Sequence, residues 1–169
     1  MSAALARWLV LAAALLAAGC ASLAPAPQDL IAGRLALQVA ATATDPPRQL
    51  GGSFELRGDA LRGQLDLVSP LGLTLAQARW EPGRVEMSDG GAPRVFATLE
   101  DFAAEAFGEP LPLAALFDWL RGRPWPGAPS TATAEGFEQL GWQVDTGRLA
   151  DGWLAARRAA PPVVTLRVR

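Results

Sequence analysis

The sequence predicts an α+β domain, mainly β, in which one antiparallel sheet is covered by two short helices. Three observations carry this. From Gly33 to Leu99, apolar and polar residues alternate with period two in runs separated by short turns. At Leu99 the period changes to that of a helix, and after a proline-rich stretch the strand pattern returns and runs to Arg169. Short connections imply an antiparallel meander, because parallel strands need long crossovers.

The elements follow in order. In "GRLALQV", Leu35, Leu37 and Val39 share one face, opposite Arg34 and Gln38. "GSFELRG" sets Phe54 and Leu56 against Ser53, Glu55 and Arg57, and "LRGQLDLV" sets Leu61, Leu65 and Leu67 against Arg62, Gln64 and Asp66. The intervening Arg57-Gly58-Asp59 spells an adhesion tripeptide, but it falls where a turn is expected. "LTLAQARW" pairs Ala76, Ala78 and Trp80 on one side, while Leu73 and Leu75 blur which face of residues 72–80 is inside. "RVEMSD" and "PRVFATL" continue the hairpins across "EPG" and "DGG", whose glycines supply positive φ.

In "TLEDFAAEAFG", Leu99, Phe102, Ala103, Ala106 and Phe107 form one stripe, Thr98 can cap with Asp101 three residues on, and Gly108 can terminate the helix. A second helix follows Pro112: "LAALFDWLRG" groups Leu113, Leu116, Phe117 and Leu120, and Gly122 ends it. "RPWPGAPSTATAE" reads as a long loop of the kind that is usually functional. Strand patterns resume with "FEQLGWQVD", a turn at "TGRLADG", then "WLAARRA" and "VVTLRVR". A sheet with one apolar face must cover that face or curl around it, and two helices can serve as the cover. From composition alone, a solid core is the simpler result and a cavity under the lid the alternative.

The chain starts "MSAALARWLVLAAALLAAGC", one cation followed by an apolar run too short to span a bilayer, which reads as a signal peptide over residues 1–19. Cys20 is the protein's single cysteine, so no internal disulfide can form. Following Ala17-Ala18-Gly19, it resembles the lipobox cysteine of a bacterial lipoprotein, although Ala17 stands where a larger aliphatic residue is usual. That resemblance implies acylation of Cys20, and Ala21 in place of an aspartate implies the outer membrane, with the protein anchored through Cys20 on the periplasmic face. Residues 20–32 then form a lipidated N-terminus and a Pro/Ala tether reaching roughly 20 to 30 Å. Residues 33–169 form one domain.

Absent residue types narrow the chemistry. The chain has no histidine, tyrosine or lysine, and Cys20 is committed to lipid, so Ser-His-Asp and Ser-Lys sites are excluded and no enzyme is expected. Glu100, Asp101, Glu105 and Glu109 cluster closely, yet a solvated helix surface accounts for them better than a carboxylate pair does. "SDGGAP" has too few acids for a calcium loop, so no metal or other cofactor is expected. A net charge of −2 with no dense basic face argues against nucleic acid.

The segments "GRLALQV", "GSFELRG", "GQLDLVSPLG", "LPLAALFDWLRGRPWPG" and "FEQLGWQV" resemble, in that order and spacing, the LolB family of outer-membrane lipoprotein receptors, within the LolA/LolB-like fold. The resemblance implies a strongly curved, open antiparallel β-barrel, a half-barrel, covered by a helical lid. Its apolar interior would take lipoprotein acyl chains from a LolA-like periplasmic carrier for delivery to the outer membrane, by a monomer without cofactor. Two features depart from the family pattern: only "APAPQDLIA" precedes Gly33 where an amphipathic helix is usual, and the chain ends at "TLRVR" without a tryptophan-tipped last strand.

On this reading Leu35, Leu37, Phe54, Leu56, Leu65, Leu67, Phe102, Leu116, Phe117 and Trp142 face a common, partly empty interior that binds acyl chains. In "SPLG", Leu71 stands at a Pro-Gly turn, and in the family that turn carries an exposed leucine used for membrane insertion. The energetics agree. Each methylene moved from oil to water costs about 0.8 kcal/mol, so an unsheltered acyl chain would face a barrier of roughly 10 kcal/mol. Three alternatives stay open from the residues alone: a structural outer-membrane lipoprotein with a solid core, a carboxylate enzyme, and a binder of free lipids.

Overall fold

A computed structural model describes residues 29–169. The expected signal peptide, the anchor at Cys20 and most of the tether lie outside these residues. The first strand, β1 (Leu30–Val39), starts three residues before Gly33, where the sequence suggests the domain begins.

One sheet holds eleven strands in the order β6-β5-β4-β3-β2-β1-β11-β10-β9-β8-β7, with every neighbouring pair antiparallel. The remaining strands are β2 (Arg48–Gly58), β3 (Gly63–Val68), β4 (Thr74–Glu81), β5 (Arg84–Ser88), β6 (Arg94–Phe96), β7 (Ser130–Ala132), β8 (Gly136–Gln139), β9 (Trp142–Asp145), β10 (Leu154–Arg158) and β11 (Val164–Val168). β1 and β11, the first and last of the described strands, pair at the sheet's centre, and β6 and β7 remain as edges. The connection between those two edges is helical: α1 (Leu99–Phe107) and α2 (Leu113–Trp119) cross the concave face of the open sheet. The lid is therefore the segment that carries the chain from one edge of the half-barrel to the other.

Alternation sets which face is inside. Leu37, Val39, Phe54, Leu56, Leu65 and Leu67 are buried, with polar neighbours outward, and β4 turns Ala76, Ala78 and Trp80 inward. The small alanines of β4 leave room above them, and a glycine does the same beside Trp80. A Cβ on Gly63 would lie 2.4 Å from the Trp80 ring, so only glycine lets that indole lie flat across β3. The indole N–H donates to the Asp59 carbonyl at 2.9 Å, which ties the ring to the β2–β3 turn.

Several expectations need correction. Leu61 does not share the inner face with Leu65. It is 68% exposed in a turn where the Asp59 carboxylate accepts from the Leu61 and Arg62 amides, and this local bond overrides the alternation. "FEQLGWQVD" is two strands joined by Leu140-Gly141, both at positive φ (54° and 77°), a two-residue hairpin whose leucine gave no turn signal. The proline-rich loop is partly a strand, since Ser130–Ala132 pairs with β8 as an edge. "TGRLADG" contains a short 3-10 turn over Leu149–Asp151. In α2, Trp119 and Ala115 are buried with Leu113 and Phe117, while Leu116 and Leu120 are only half-buried, because the helix is flanked by sheet on both sides.

Candidate lipid-binding site

The lid begins where local chemistry starts a helix. The Thr98 hydroxyl accepts from the Asp101 amide at 3.0 Å, acidic residues occupy the first turn, and Gly108 ends α1 at φ 69°. Its apolar stripe lies over β4–β6, where the Phe102 ring meets Phe96 and Phe107 at 6.2 Å each. α2 bridges the two arms of the sheet: Phe117 packs edge-on against Trp80 of β4 at 5.9 Å, and Trp119 reaches Phe137 of β8 and Trp142 of β9 at 6.3 and 6.2 Å.

Between lid and sheet lies an apolar cavity. Of the predicted acyl-chain residues, Leu35, Phe54, Leu56, Leu65, Leu116 and Phe117 line it. Leu37, Leu67, Phe102 and Trp142 are buried in the surrounding core and do not reach its wall. Six further residues complete the lining: Trp80, Phe107, Leu111, Leu113, Leu166 and Val168. Leu166 and Val168 were legible as the inner face of the last strand, and Leu111 only as part of "LPL". Every lining side chain is apolar.

The cavity is much smaller than the partly empty interior expected from the sequence. Its free volume is about 30 Å³, room for a water molecule and not for an acyl chain. The physical reason is that apolar side chains close onto one another, since an unfilled void forfeits their dispersion contacts. Leu111, Leu113, Leu116 and Phe117 from the lid supply that filling. Any long apolar guest must therefore displace lid residues.

Two buried polar attachments hold the lid, and the sequence revealed neither. Glu109, grouped with the solvated acids from the sequence, is 6% exposed; it accepts from Arg48 of β2 at 3.0 Å and from Arg158 of β10 at 2.6 Å, while Arg48 also donates to the Gly108 carbonyl. A carboxylate between two guanidiniums is what makes burial of that charge tolerable. On the far side, Gln139 is 3% exposed. It accepts from the Trp119 indole at 2.8 Å and the Trp125 amide at 2.9 Å, and donates to the Trp125 and Ala128 carbonyls at 2.7 and 2.8 Å. One side chain thus fixes the end of α2 and the proline-rich segment after it. Glu100, Asp101 and Glu105 do lie on the exposed helix surface, and Arg94 pairs with Glu105.

Among the described residues no cluster of potential metal ligands forms, and no helix is long and apolar enough to cross a membrane. Asp45 has its carboxyl held below the usual range by the Thr44 and Thr42 hydroxyls, in an exposed turn between β1 and β2.

The β3–β4 connection projects away from this core. The Ser69 carbonyl accepts from the Gly72 amide at 2.9 Å, its hydroxyl from the Leu73 amide at 3.1 Å, and Gly72 has φ 82°. A bulge at Leu67/Val68 bends the strand before it. Leu71 is 87% exposed at the tip, and Leu73, which the strand pattern left ambiguous, is 65% exposed beside it. No core contact explains either side chain.

A family model described as "Outer membrane lipoprotein LolB" matches residues 30–167. The outer-membrane lipoprotein LolB of Bordetella petrii is 35% identical over 171 residues, covering 91% of this chain and 85% of the relative. That of Chromobacterium violaceum is 34% identical over 86% of this chain and 84% of its own length, and that of Bordetella pertussis 37% identical over 78% and 72%. An open antiparallel half-barrel under a helical lid, matched along almost all of its described length, places the chain in the outer membrane lipoprotein LolB family.

Proposed function

We propose that this protein is an outer-membrane lipoprotein that accepts other lipoproteins from a LolA-like periplasmic carrier, shelters their acyl chains between sheet and lid, and inserts them into the outer membrane. Family membership supports residence at the outer membrane and a part in lipoprotein localisation. The finer points are this reading's own: anchorage through acylated Cys20, the periplasmic face, action as a monomer without cofactor, acyl-chain contact by Leu35, Phe54, Leu56, Leu65, Leu116 and Phe117 with Leu37, Leu67, Phe102 and Trp142 packed behind them, and membrane insertion by Leu71.

The observation that carries it is the pairing of an all-apolar interior under a separately attached lid with a leucine tip that the core does not use. An acyl chain entering beneath the lid replaces apolar lid contacts with apolar guest contacts, so opening and occupancy nearly balance in free energy. A site of that kind can both receive and release. Release needs a nearby apolar phase, and a leucine tip that enters the bilayer provides contact with one.

Receipt and release are separable in one assay. A soluble form with Cys20→Ala is given a fluorescent lipoprotein on its carrier, then liposomes. Leu71→Glu should receive cargo normally and fail to pass it on, while Leu71→Phe should transfer. Leu65→Asp should abolish receipt, because an unpaired charge in the lining is costly to bury. Normal transfer by Leu71→Glu would overturn the tip role. Absence of any acyl uptake by the unsubstituted protein would instead leave a structural lipoprotein.

A further inference from the structure

The turn that carries Leu71 also walls an open cleft on the outer face of the sheet. Ser69, Pro70 and Gly72 form one side, and the outward residues of β1, β2 and β11, with Trp153 beyond them, form the other; the cleft holds about 700 Å³. Register explains the convergence. Arg34 of β1 lies opposite Ser53 of β2, Ala36 opposite Arg167 of β11, and β3 has ended by this level, so Gly51 and Gly52 floor an opening.

Three arginines line it: Arg34, Arg167 and Arg169. None forms an ion pair among the described residues, although Arg48, Arg57, Arg84, Arg94 and Arg158 all do. The Arg34 guanidinium has no hydrogen-bond partner there either, and Arg167 reaches only the Gln38 side-chain oxygen Oε1, at 3.4 Å. Arg169 lies over the Trp153 ring at 5.1 Å, with Arg148 on the same indole at 5.7 Å. Two acids flank the lining residues in the sequence and are already engaged: Glu55, two residues beyond Ser53 on β2, by Arg57 at 2.5 Å, and Asp151, two residues before Trp153, by Arg148 at 3.5 Å. The cleft is therefore a shelf of three guanidiniums without an ion pair among the described residues, next to two exposed leucines.

We propose that this shelf binds the phosphate headgroups of anionic phospholipids in the leaflet that Leu71 and Leu73 enter. The proposal rests on the tip reading and adds lipid selectivity to it. A bilayer surface presents hydrocarbon below and phosphate above, and the protein presents leucines at the tip with guanidiniums and an indole set back from it, which is the same order. Guanidinium forks match phosphate oxygens well. An acidic protein would account for the arginines and leave the adjoining leucines unused.

The test uses the chain from Cys20 with Cys20→Ala, which keeps every described strand and helix, and measures binding to two vesicle types. One is phosphatidylcholine alone and the other phosphatidylcholine with phosphatidylglycerol. The protein should bind the anionic vesicles more tightly, and the difference should shrink as salt rises. Arg34→Gln with Arg167→Gln should lose about fivefold per arginine, on the order of thirtyfold together, on anionic vesicles only. The corresponding lysine pair should retain most of the binding, and both variants should melt as the parent does, since both positions are exposed. Leu71→Glu should weaken binding to both vesicle types. If the glutamine pair binds anionic vesicles like the parent while Leu71→Glu does not, the shelf is disproved and the tip stands. If Leu71→Glu binds both like the parent, the tip reading itself fails. If the glutamine pair loses receipt from the carrier and keeps anionic binding, the shelf serves an acidic protein and the proposal is overturned.

Discussion

Around Trp119 the lid is fixed by bonds that depend on direction, whereas between Phe107 and Phe117 it rests on the sheet through apolar side chains with one charged attachment, Glu109. The first region holds a buried glutamine with four hydrogen bonds and an indole wedged between Phe137 and Trp142. The second holds leucines and phenylalanines around a small void. Moving Trp119 would strand buried donors and acceptors, and each stranded group costs about 1 to 3 kcal/mol. Moving Leu116 only exchanges one apolar neighbour for another. The contrast makes the Trp119 end the natural pivot and the Leu111–Phe117 stretch the part that yields to a guest.

The comparison breaks most visibly at its fixed end. Trp119→Ala should destabilise by about 3 to 5 kcal/mol, the usual cost of truncating a fully buried aromatic residue, measured by denaturant unfolding. It should also raise proteolysis within residues 123–129, because Gln139 loses the partner that orders that segment. A loss under about 1 kcal/mol would mean that this end is no more fixed than the other.

Next comes the charged attachment. Glu109→Gln leaves Arg158 without its carboxylate at a mostly buried position, and breaking a buried pair costs about 3 to 5 kcal/mol. With Arg48 half in water, the expected loss lies near the lower bound, about 3 kcal/mol. An apolar fluorophore should bind the variant faster, since the lid then lacks its polar hold on the movable side. Unchanged uptake kinetics would show that opening does not pass through this ion pair.

A smaller effect sharpens the picture on the fixed side. Leu140 adopts φ 54° in the two-residue turn before Gly141, a conformation that costs leucine about 1 kcal/mol and that asparagine tolerates. Leu140→Asn should stabilise by about 0.5 to 1 kcal/mol without altering fluorophore uptake. Destabilisation would assign Leu140 a packing role that its half-exposed position does not suggest.

The smallest expected change in stability belongs to neither lid region. Leu71→Glu should leave the unfolding free energy within about 0.5 kcal/mol, because the side chain makes no core contact, even though transfer should be lost. A loss of 2 kcal/mol or more would place Leu71 with the core leucines.

What the sequence determined by itself is what short-range physics controls. Period-two alternation specified the inward faces of β1 to β3, because successive side chains in a strand must point opposite ways, while the face of β4 was settled only by the fold, which turns Ala76, Ala78 and Trp80 inward. Thr98, Asp101 and Gly108 set the ends of α1 through bonds made within a few residues. Pro70-Gly72 marked the turn whose leucine stands in water. The tertiary structure alone decided the rest, because it depends on partners distant in the chain. Glu109 reads as one more surface acid until the sheet brings Arg48 and Arg158 to it from 61 and 49 residues away. Gln139 reads as a polar interruption until β8 turns it toward Trp119, and Leu61 reads as a core residue until Asp59 folds the turn back on itself. Of the ten side chains that the strand and helix patterns assigned to the interior, only the curvature of the sheet and the descent of α2 select the six that border the cavity, and the same packing decides how little space remains between them.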